Sequence, residues 1–258
     1  MGRFEGGKGS FFTRARVSRA ARIFVYILLG VLVLAPVLVF GVDAGEGKPE
    51  RRGLDEMRGA LRRGPKRGAR QEPGDEARLQ ERRRSRQEAV TGLGRAGGKE
   101  DASLLMEALE DEDPLVRGGA AEALGRLRAP GALTALLDRA GSADDHTRWG
   151  AVDGLAELGD KRAVPGLISA LAHKDDVTRW KAAIALGRLR DKRAVKALTS
   201  ALEDASAGVR YAAAEALGRV GDRKAVPALE RRTKDEDEAM RARAAAALKD
   251  IRDGRKRR

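Results

Sequence analysis

The stretch that decides the fold runs Val116-Arg-Gly-Gly-Ala-Ala-Glu-Ala-Leu-Gly-Arg-Leu127, and variants of it recur every 31 residues. Three positions hold in six successive copies: an arginine, an alanine three residues later and a leucine seven residues later. The repeat arginines are Arg86, Arg117, Arg148, Arg179, Arg210 and Arg241. A fixed period of this length is typical of a solenoid, whose units bury their apolar faces only by stacking on one another.

Each unit divides into two helices. In the first helix, the residue before the arginine, the alanine, the leucine and an apolar residue ten positions after the arginine form one apolar stripe at about 100° per residue. Five copies place a helix-capping residue before this helix: Asp113, Asp144, Asp175, Ser206 and Asp237. In the second helix, proline falls only in the first turn, where helices tolerate it. The pattern predicts an all-α, right-handed α-solenoid of two-helix repeats with a period of 31.

The repeat also resembles a known family. The unit Asp-x-x-Val-Arg-x-x-Ala-Ala-x-Ala-Leu-Gly-x-Leu-x-Asp-x-x-Ala-Val-Pro-x-Leu is similar to a HEAT repeat of the short kind found in phycobilisome lyase subunits. The resemblance covers residues 76–258 and implies an armadillo-type helical array. It implies less about function, because this family includes scaffolds, pigment lyases, a di-iron hydroxylase and relatives of DNA glycosylases, so function has to be argued from sites.

The positive charge of the chain lies outside the repeats. A net charge of +13 and a pI of about 10.4 ordinarily suggest a nucleic-acid partner. Within residues 85–254, however, 29 basic residues are balanced by 29 acidic ones. The excess belongs to residues 1–22, to residues 43–84 and to the basic tail at 255–258. The neutral repeats therefore favour no specific nucleic acid as a partner.

Residues 23–42 contain no charged side chain and are numerous enough for a helix to cross a bilayer. We predict one transmembrane helix here, after a basic N-terminal segment at 1–22. The alternative is a signal peptide cleaved near Ala44, with secretion of the remainder. More basic residues precede the span than follow it, which predicts a single-pass protein with a cytoplasmic N-terminus and extracytoplasmic, periplasmic repeats.

Two further segments complete the predicted domain organisation. Residues 43–74 are rich in Gly, Pro, Arg and Glu and have no sustained apolar period, so we predict a disordered, flexible charged linker. The repeat array is predicted at 75–254, with Asp75 as a cap for a helix that starts near Glu76.

The sequence offers no reaction centre. Gly92-x-Gly94-x-x-Gly97 matches a dinucleotide-binding motif by letter, but it follows no strand and coincides with the repeat. His146 and His173 are not equivalent in a 31-residue period, and neither is followed by glutamate. No nucleophile, base and acid can be placed together. We predict no catalytic residue, no cofactor and no metal.

Three aromatic residues share one position, directly after the repeat arginine: Trp149, Trp180 and Tyr211. This position lies far from the centre of the apolar stripe, which predicts an exposed or half-exposed row. Two interpretations are open. The rings cover neighbouring helices, or they form a docking stripe, because Trp, Tyr and Arg are enriched at binding hot spots.

The charged positions give two more predictions. The repeat arginines are predicted to be structural, paired with Asp160, Asp191 and Asp222 in the adjoining turns. Six basic residues follow these aspartates, at helix starts where they oppose the helix dipole. They are Lys161, Arg162, Lys192, Arg193, Arg223 and Lys224. We therefore hypothesise a basic rim that binds an acidic partner.

The functional prediction is a membrane-anchored scaffold or adaptor that binds another protein and is not an enzyme. One alternative, implied by the resemblance, is a lyase-like subunit that holds a client protein and a small cofactor. A second alternative is a nucleic-acid-binding solenoid.

Overall fold

The computed structural model describes residues 51–63 and 76–256, where every regular element is helical. The α-helices of these two ranges are α1 (Arg51–Arg62), α2 (Glu76–Ala96), α3 (Ala102–Ala108), α4 (Pro114–Arg126), α5 (Ala132–Arg139), α6 (Asp145–Leu158), α7 (Val164–Leu171), α8 (Asp176–Leu189), α9 (Val195–Ala201), α10 (Ala207–Val220), α11 (Val226–Arg232) and α12 (Glu238–Lys256). The 3₁₀ helices of these ranges are Lys99–Asp101, Lys161–Ala163, Lys192–Ala194 and Arg223–Ala225.

The helices repeat with the period of the sequence, which confirms the all-helical solenoid. The first helices of successive units, from α4 to α12, begin at Pro114, Asp145, Asp176, Ala207 and Glu238, 31 residues apart. Each first helix packs along the next, and each second helix packs against the first helix that follows it. The repeat leucines from Leu93 to Leu217 are fully buried and form a continuous core.

Small residues set the distance between neighbouring first helices. Between α4 and α6, a Cβ added to Gly150 would overlap the carbonyl of Gly118, and one added to Gly125 would overlap the carbonyl of Gly154. Between α8 and α10, a Cβ on Gly187 would lie 2.9 Å from Ala216. The backbones therefore approach closely only because these positions lack larger side chains.

Aspartates begin most of the helices as expected. Asp113, Asp144 and Asp175 accept hydrogen bonds from backbone N–H groups in the first turns of α4, α6 and α8. Asp237 accepts one from Ala239 at 2.9 Å. The prediction for Ser206 is wrong, because this side chain makes no capping bond to α10.

The predicted linker at 43–74 contains a helix, which corrects that part of the prediction. Helix α1 packs on α2 and buries Ala60 and Leu61 in the core. Leu54 and Met57 lie against the same core. A short apolar face is therefore enough to stabilise a helix when a neighbouring helix covers that face. The Arg58 guanidinium binds Asp101, which is 2% exposed, at 2.6 Å.

Several predictions concern residues outside the described ranges. These are the N-terminal segment at 1–22, the transmembrane helix at 23–42, the remaining linker residues, the cap at Asp75 and the last two residues of the tail. Among the helices that the structure does describe, none is both long and apolar enough to cross a bilayer.

Candidate protein-binding surfaces

The repeat arginines form hydrogen bonds with the backbone of the links between units. From Arg117 onward, each donates through Nη1 to the carbonyl groups six and five residues before it. Arg148, for example, donates to Ser142 at 2.8 Å and to Ala143 at 3.4 Å. These carbonyls belong to the turn after a second helix, where no helical N–H reaches them.

Four of the repeat arginines, Arg86, Arg117, Arg148 and Arg179, reach into the next unit, but not to the predicted acids. Arg86 pairs with Asp111 at 2.8 Å, and Arg179 binds both carboxylate oxygens of Asp204 at 2.7 and 2.9 Å. Arg117 and Arg148 donate to threonine hydroxyls 30 residues on, at 3.0 and 2.9 Å. The predicted pairing with Asp160, Asp191 and Asp222 is wrong, because those aspartates cap the 3₁₀ helices of their own turns.

The residue after the repeat arginine bonds to the capping aspartate of the next unit in three places. Gln87 donates to Asp113 and the Trp149 indole donates to Asp175, both at 2.8 Å. Tyr211 donates its hydroxyl to Asp237. Two of the three predicted aromatic residues are therefore half-buried and tied to a neighbouring helix start.

Trp180 is the exception in this row. The corresponding cap is Ser206, and among the described residues the Trp180 indole N–H has no acceptor. Its side chain is 41% exposed. Ile184 lies one turn further along α8, beside a groove between α8 and α10. That groove is lined by Ile184, Gly187, Arg188, Ala212, Glu215, Ala216 and Arg219.

The two capping carboxylates that bind the aromatic residues, Asp175 and Asp237, have lowered pKa values. Burial alone would raise the pKa of Asp175, but hydrogen bonds from Thr178 and Trp149 outweigh it and hold this pKa at about 2. The Tyr211 hydroxyl likewise lowers the pKa of Asp237. A deprotonated carboxylate accepts bonds from both the aromatic donor and the helix start.

The six predicted basic residues divide into two sets. Arg162 and Arg193 fold back onto Asp160 and Asp191, at 2.6 and 2.8 Å. The side-chain bond from Arg193 and a backbone bond hold the pKa of Asp191 at about 2. The other four are exposed, and within the described residues they make no salt bridge; they are Lys161, Lys192, Arg223 and Lys224.

The glycines and histidines considered as cofactor or metal ligands make packing and backbone contacts. Gly92 and Gly94 lie within α2, facing Met57 and Ala123. His173 accepts a hydrogen bond from the backbone of Asp175, and His146 contacts the edge of Trp149. Across the described ranges, no three His, Asp or Glu side chains are grouped so as to hold a metal ion.

A family model for HEAT repeats matches residues 76–148, 139–208 and 195–257. The chain belongs to the HEAT-repeat family. No curated protein sequence is detectably similar to it.

Solved structures agree with this HEAT fold. The phycocyanin lyase complex of CpcE and CpcF from Nostoc matches at 28% identity and a TM-score of 0.53, over 58% of this chain. The match covers 64% of the lyase chain, which is less than two thirds of it. A designed armadillo repeat protein in complex with the peptide (KR)4 matches at 20% identity and a TM-score of 0.56, over 77% of this chain and 99% of that chain.

The sequence pattern alone did not indicate the left-handed backbone conformation of two arginines in the HEAT array. Arg128 and Arg190 adopt positive φ angles of 48° and 49° at the C-terminal ends of first helices, where other units have Gly159 and Gly221. Aligning the units would have revealed them, because glycine at a repeat position after a helix indicates a left-handed residue. The capping partners of the aromatic row could also have been found, since each lies 26 residues after its donor.

Proposed function

We propose that this HEAT-repeat chain is a scaffold whose α8–α10 face, centred on Trp180, holds another protein. The observation that supports this proposal is a difference in exposure and hydrogen bonding among three residues at equivalent repeat positions. Trp149 and Tyr211 are tied to neighbouring caps, whereas Trp180 is exposed beside a groove. An exposed tryptophan one helical turn from Ile184, which lines this groove together with two alanines and two arginines, suits the centre of a protein interface.

Proximity labelling in intact cells tests this proposal. A labelling enzyme fused to the array should mark a set of neighbours that is lost in Trp180→Ala, since a central tryptophan contributes about 2 kcal/mol or more to binding. Trp149→Phe is the matched control, because it alters a tied aromatic residue of the preceding unit. Identical neighbours for wild type and Trp180→Ala would contradict the proposal.

The membrane anchor is part of the same proposal. Residues 23–42 would span the bilayer with a cytoplasmic N-terminus, which would hold the array and its partner at the extracytoplasmic surface. Support comes from the uncharged sequence and the basic residues before it. Extraction at alkaline pH and protease protection of the array test this arrangement. Release into the soluble fraction with a new N-terminus near residue 45 would favour the cleaved signal peptide.

A lyase-like subunit is the second candidate function, and it is favoured by the 28% identity to phycocyanin lyase. In that case the array would hold a client protein together with a pigment. Incubation of the purified chain with a bilin should then shift the pigment absorbance. An unchanged spectrum, alongside Trp180-dependent neighbours in cells, would leave the scaffold as the function.

A further inference from the structure

The turns inside the repeat units carry exposed cations that make no salt bridge among the described residues. Each of three turns begins with an aspartate that caps a 3₁₀ helix, and two basic residues follow. Arg162 and Arg193 form salt bridges with the aspartates of their own turns. Lys161, Lys192 and Arg223 occupy the same position in successive units and point positive charge into solvent.

Two further cations lie at positions that favour glycine. The left-handed conformation of Arg128 and Arg190 costs free energy for any residue with a Cβ, and other units use glycine there. Both side chains are exposed and make no salt bridge within the described ranges. Strained positions of this kind are concentrated at functional sites. The two arginines therefore add charge to these turns at the expense of stability.

We define the cation row as the exposed basic residues that make no salt bridge in the turns between the two helices of a unit: Arg128, Lys161, Arg190, Lys192, Arg223 and Lys224. Consecutive turns lie side by side, because Arg193 donates to the carbonyl of Lys161 at 2.7 Å. Packed helices lie about 8–10 Å apart, and an extended chain advances about 3.3 Å per residue. About three residues of extended chain therefore match one repeat.

We propose that the cation row binds an extended acidic segment of a protein, with a carboxylate at every third residue. This proposal rests on the scaffold function and adds the chemical class of a partner and a second surface for it. The turn aspartates, such as Asp191, lie between successive cations. A peptide can place neutral residues opposite these carboxylates, whereas a nucleic-acid strand carries a phosphate at every nucleotide.

Binding of synthetic peptides to the full chain tests the spacing. One labelled peptide of about twelve residues carries aspartate at every third position, and a second has the same composition with its aspartates in one block. Fluorescence anisotropy should show tighter binding of the spaced peptide, with affinity falling between about 50 and 200 mM salt. Equal affinity for the two peptides, or tighter binding of a single-stranded oligonucleotide of equal charge, would overturn the proposal.

Lys192→Gln tests the surface itself. Loss of one exposed ion pair should weaken binding of the spaced peptide by about two- to fivefold. Lys174→Gln is the matched control, because Lys174 is an exposed lysine in the link just before the unit that carries Lys192, away from the turn. An equal loss in both variants would mean that the peptide responds only to net charge, which would also overturn the proposal.

Arg190→Gly separates binding from folding. Glycine suits the left-handed backbone at this position, so the melting temperature should rise. Peptide affinity should nevertheless fall by about two- to fivefold. A more stable variant cannot lose binding through unfolding. A higher melting temperature with unchanged peptide affinity would show that Arg190 is not part of the binding site. It would also contradict the inference that its strained backbone conformation serves binding.

The two proposals fail separately. Trp180→Ala should leave peptide affinity unchanged, because Trp180 lies on the α8–α10 face and not in the turns. If the peptides fail to bind while Trp180-dependent neighbours persist in cells, only the cation row is wrong. If the peptides bind but no neighbour depends on Trp180, the scaffold face is wrong.

Discussion

At the scale of single residues, the exposure of Trp180 depends on residue 206. In neighbouring units the capping aspartate accepts from the helix start and from the aromatic residue of the preceding unit, as Asp237 does through separate oxygens for Ala239 and Tyr211. Ser206 has a shorter side chain with a single oxygen, and it bonds to neither. One substitution in the repeat therefore changes a tied tryptophan into an exposed one.

Ser206→Asp should restore the missing cap. The carboxylate is expected to accept from the first turn of α10 and from the Trp180 indole, raising the free energy of unfolding by about 1 kcal/mol. Urea unfolding measures the stability, and acrylamide quenching of fluorescence should show a less accessible tryptophan. Ser206→Ala is the control and should change little, because this serine caps nothing. A destabilising alanine would show that Ser206 does contribute to α10.

Trp149→Phe should raise the pKa of Asp175 from about 2 towards its ordinary value, because one of the donors that stabilise the carboxylate is lost. The pKa is depressed in the folded state, so its stabilising effect is present above pH 4 and is lost as pH falls towards 2. We expect the variant to be about 1–2 kcal/mol less stable at pH 7. Carbon-detected NMR titration of Asp175 gives the pKa, and an unshifted midpoint would refute this account.

At the scale of the helices, α1 shows that a small apolar face is easily overlooked in a segment whose overall composition is charged. Leu54, Met57 and Leu61 recur at helical spacing within a charged segment, and the helix that carries them packs mainly on α2. Gly92 makes room for Met57, since a Cβ there would lie 2.5 Å from its sulfur. A helix of this length is marginal in water, so it depends on packing more than on intrinsic propensity.

Arg58→Ala should destabilise the start of the array by about 2 kcal/mol, because it leaves the buried Asp101 carboxylate without its guanidinium partner. Arg52→Ala removes an exposed pair with Glu56 on the same helix and should cost less than about 0.5 kcal/mol. Urea unfolding compares the two variants. Equal losses would mean that the Arg58–Asp101 pair does not hold α1 in place.

At the scale of the whole array, stability comes from stacking, because each unit buries its apolar face against the neighbouring unit. The repeat arginines fix this stack by binding the carbonyls of one link and the cap region of the next unit. Small residues then allow the first helices to approach closely. In the described helices the main contacts run between neighbouring units, so a local change is expected to loosen one junction and its cooperativity.

Gly150→Ala tests this close approach. The added methyl group overlaps the carbonyl of Gly118, so α4 and α6 must separate, with an expected loss of about 1–3 kcal/mol. Gly254→Ala is the control, because this helical glycine has nothing within 4 Å of an added Cβ. Hydrogen exchange should show weaker protection at the α4–α6 junction. Unchanged protection there would mean that the helices adapt without separating.

The sequence by itself determined the two-helix solenoid, its period and most helix starts. Those features depend on local spacing, so apolar residues every three or four positions and aspartates before them are sufficient to indicate them. The repeat also placed Trp149, Trp180 and Tyr211 in one row. It could not separate them, because exposure depends on a partner 26 residues away in the neighbouring unit.

Only the tertiary structure decided which charges are free and which helices are covered. Arg86 and Arg179 bind Asp111 and Asp204 instead of the turn aspartates, because stacking brings the start of the next unit within reach. Arg162 and Arg193 are neutralised locally, whereas Lys161 and Lys192 are not. Helix α1 exists because α2 covers its apolar face. These outcomes depend on distances between units, which a one-dimensional pattern does not contain.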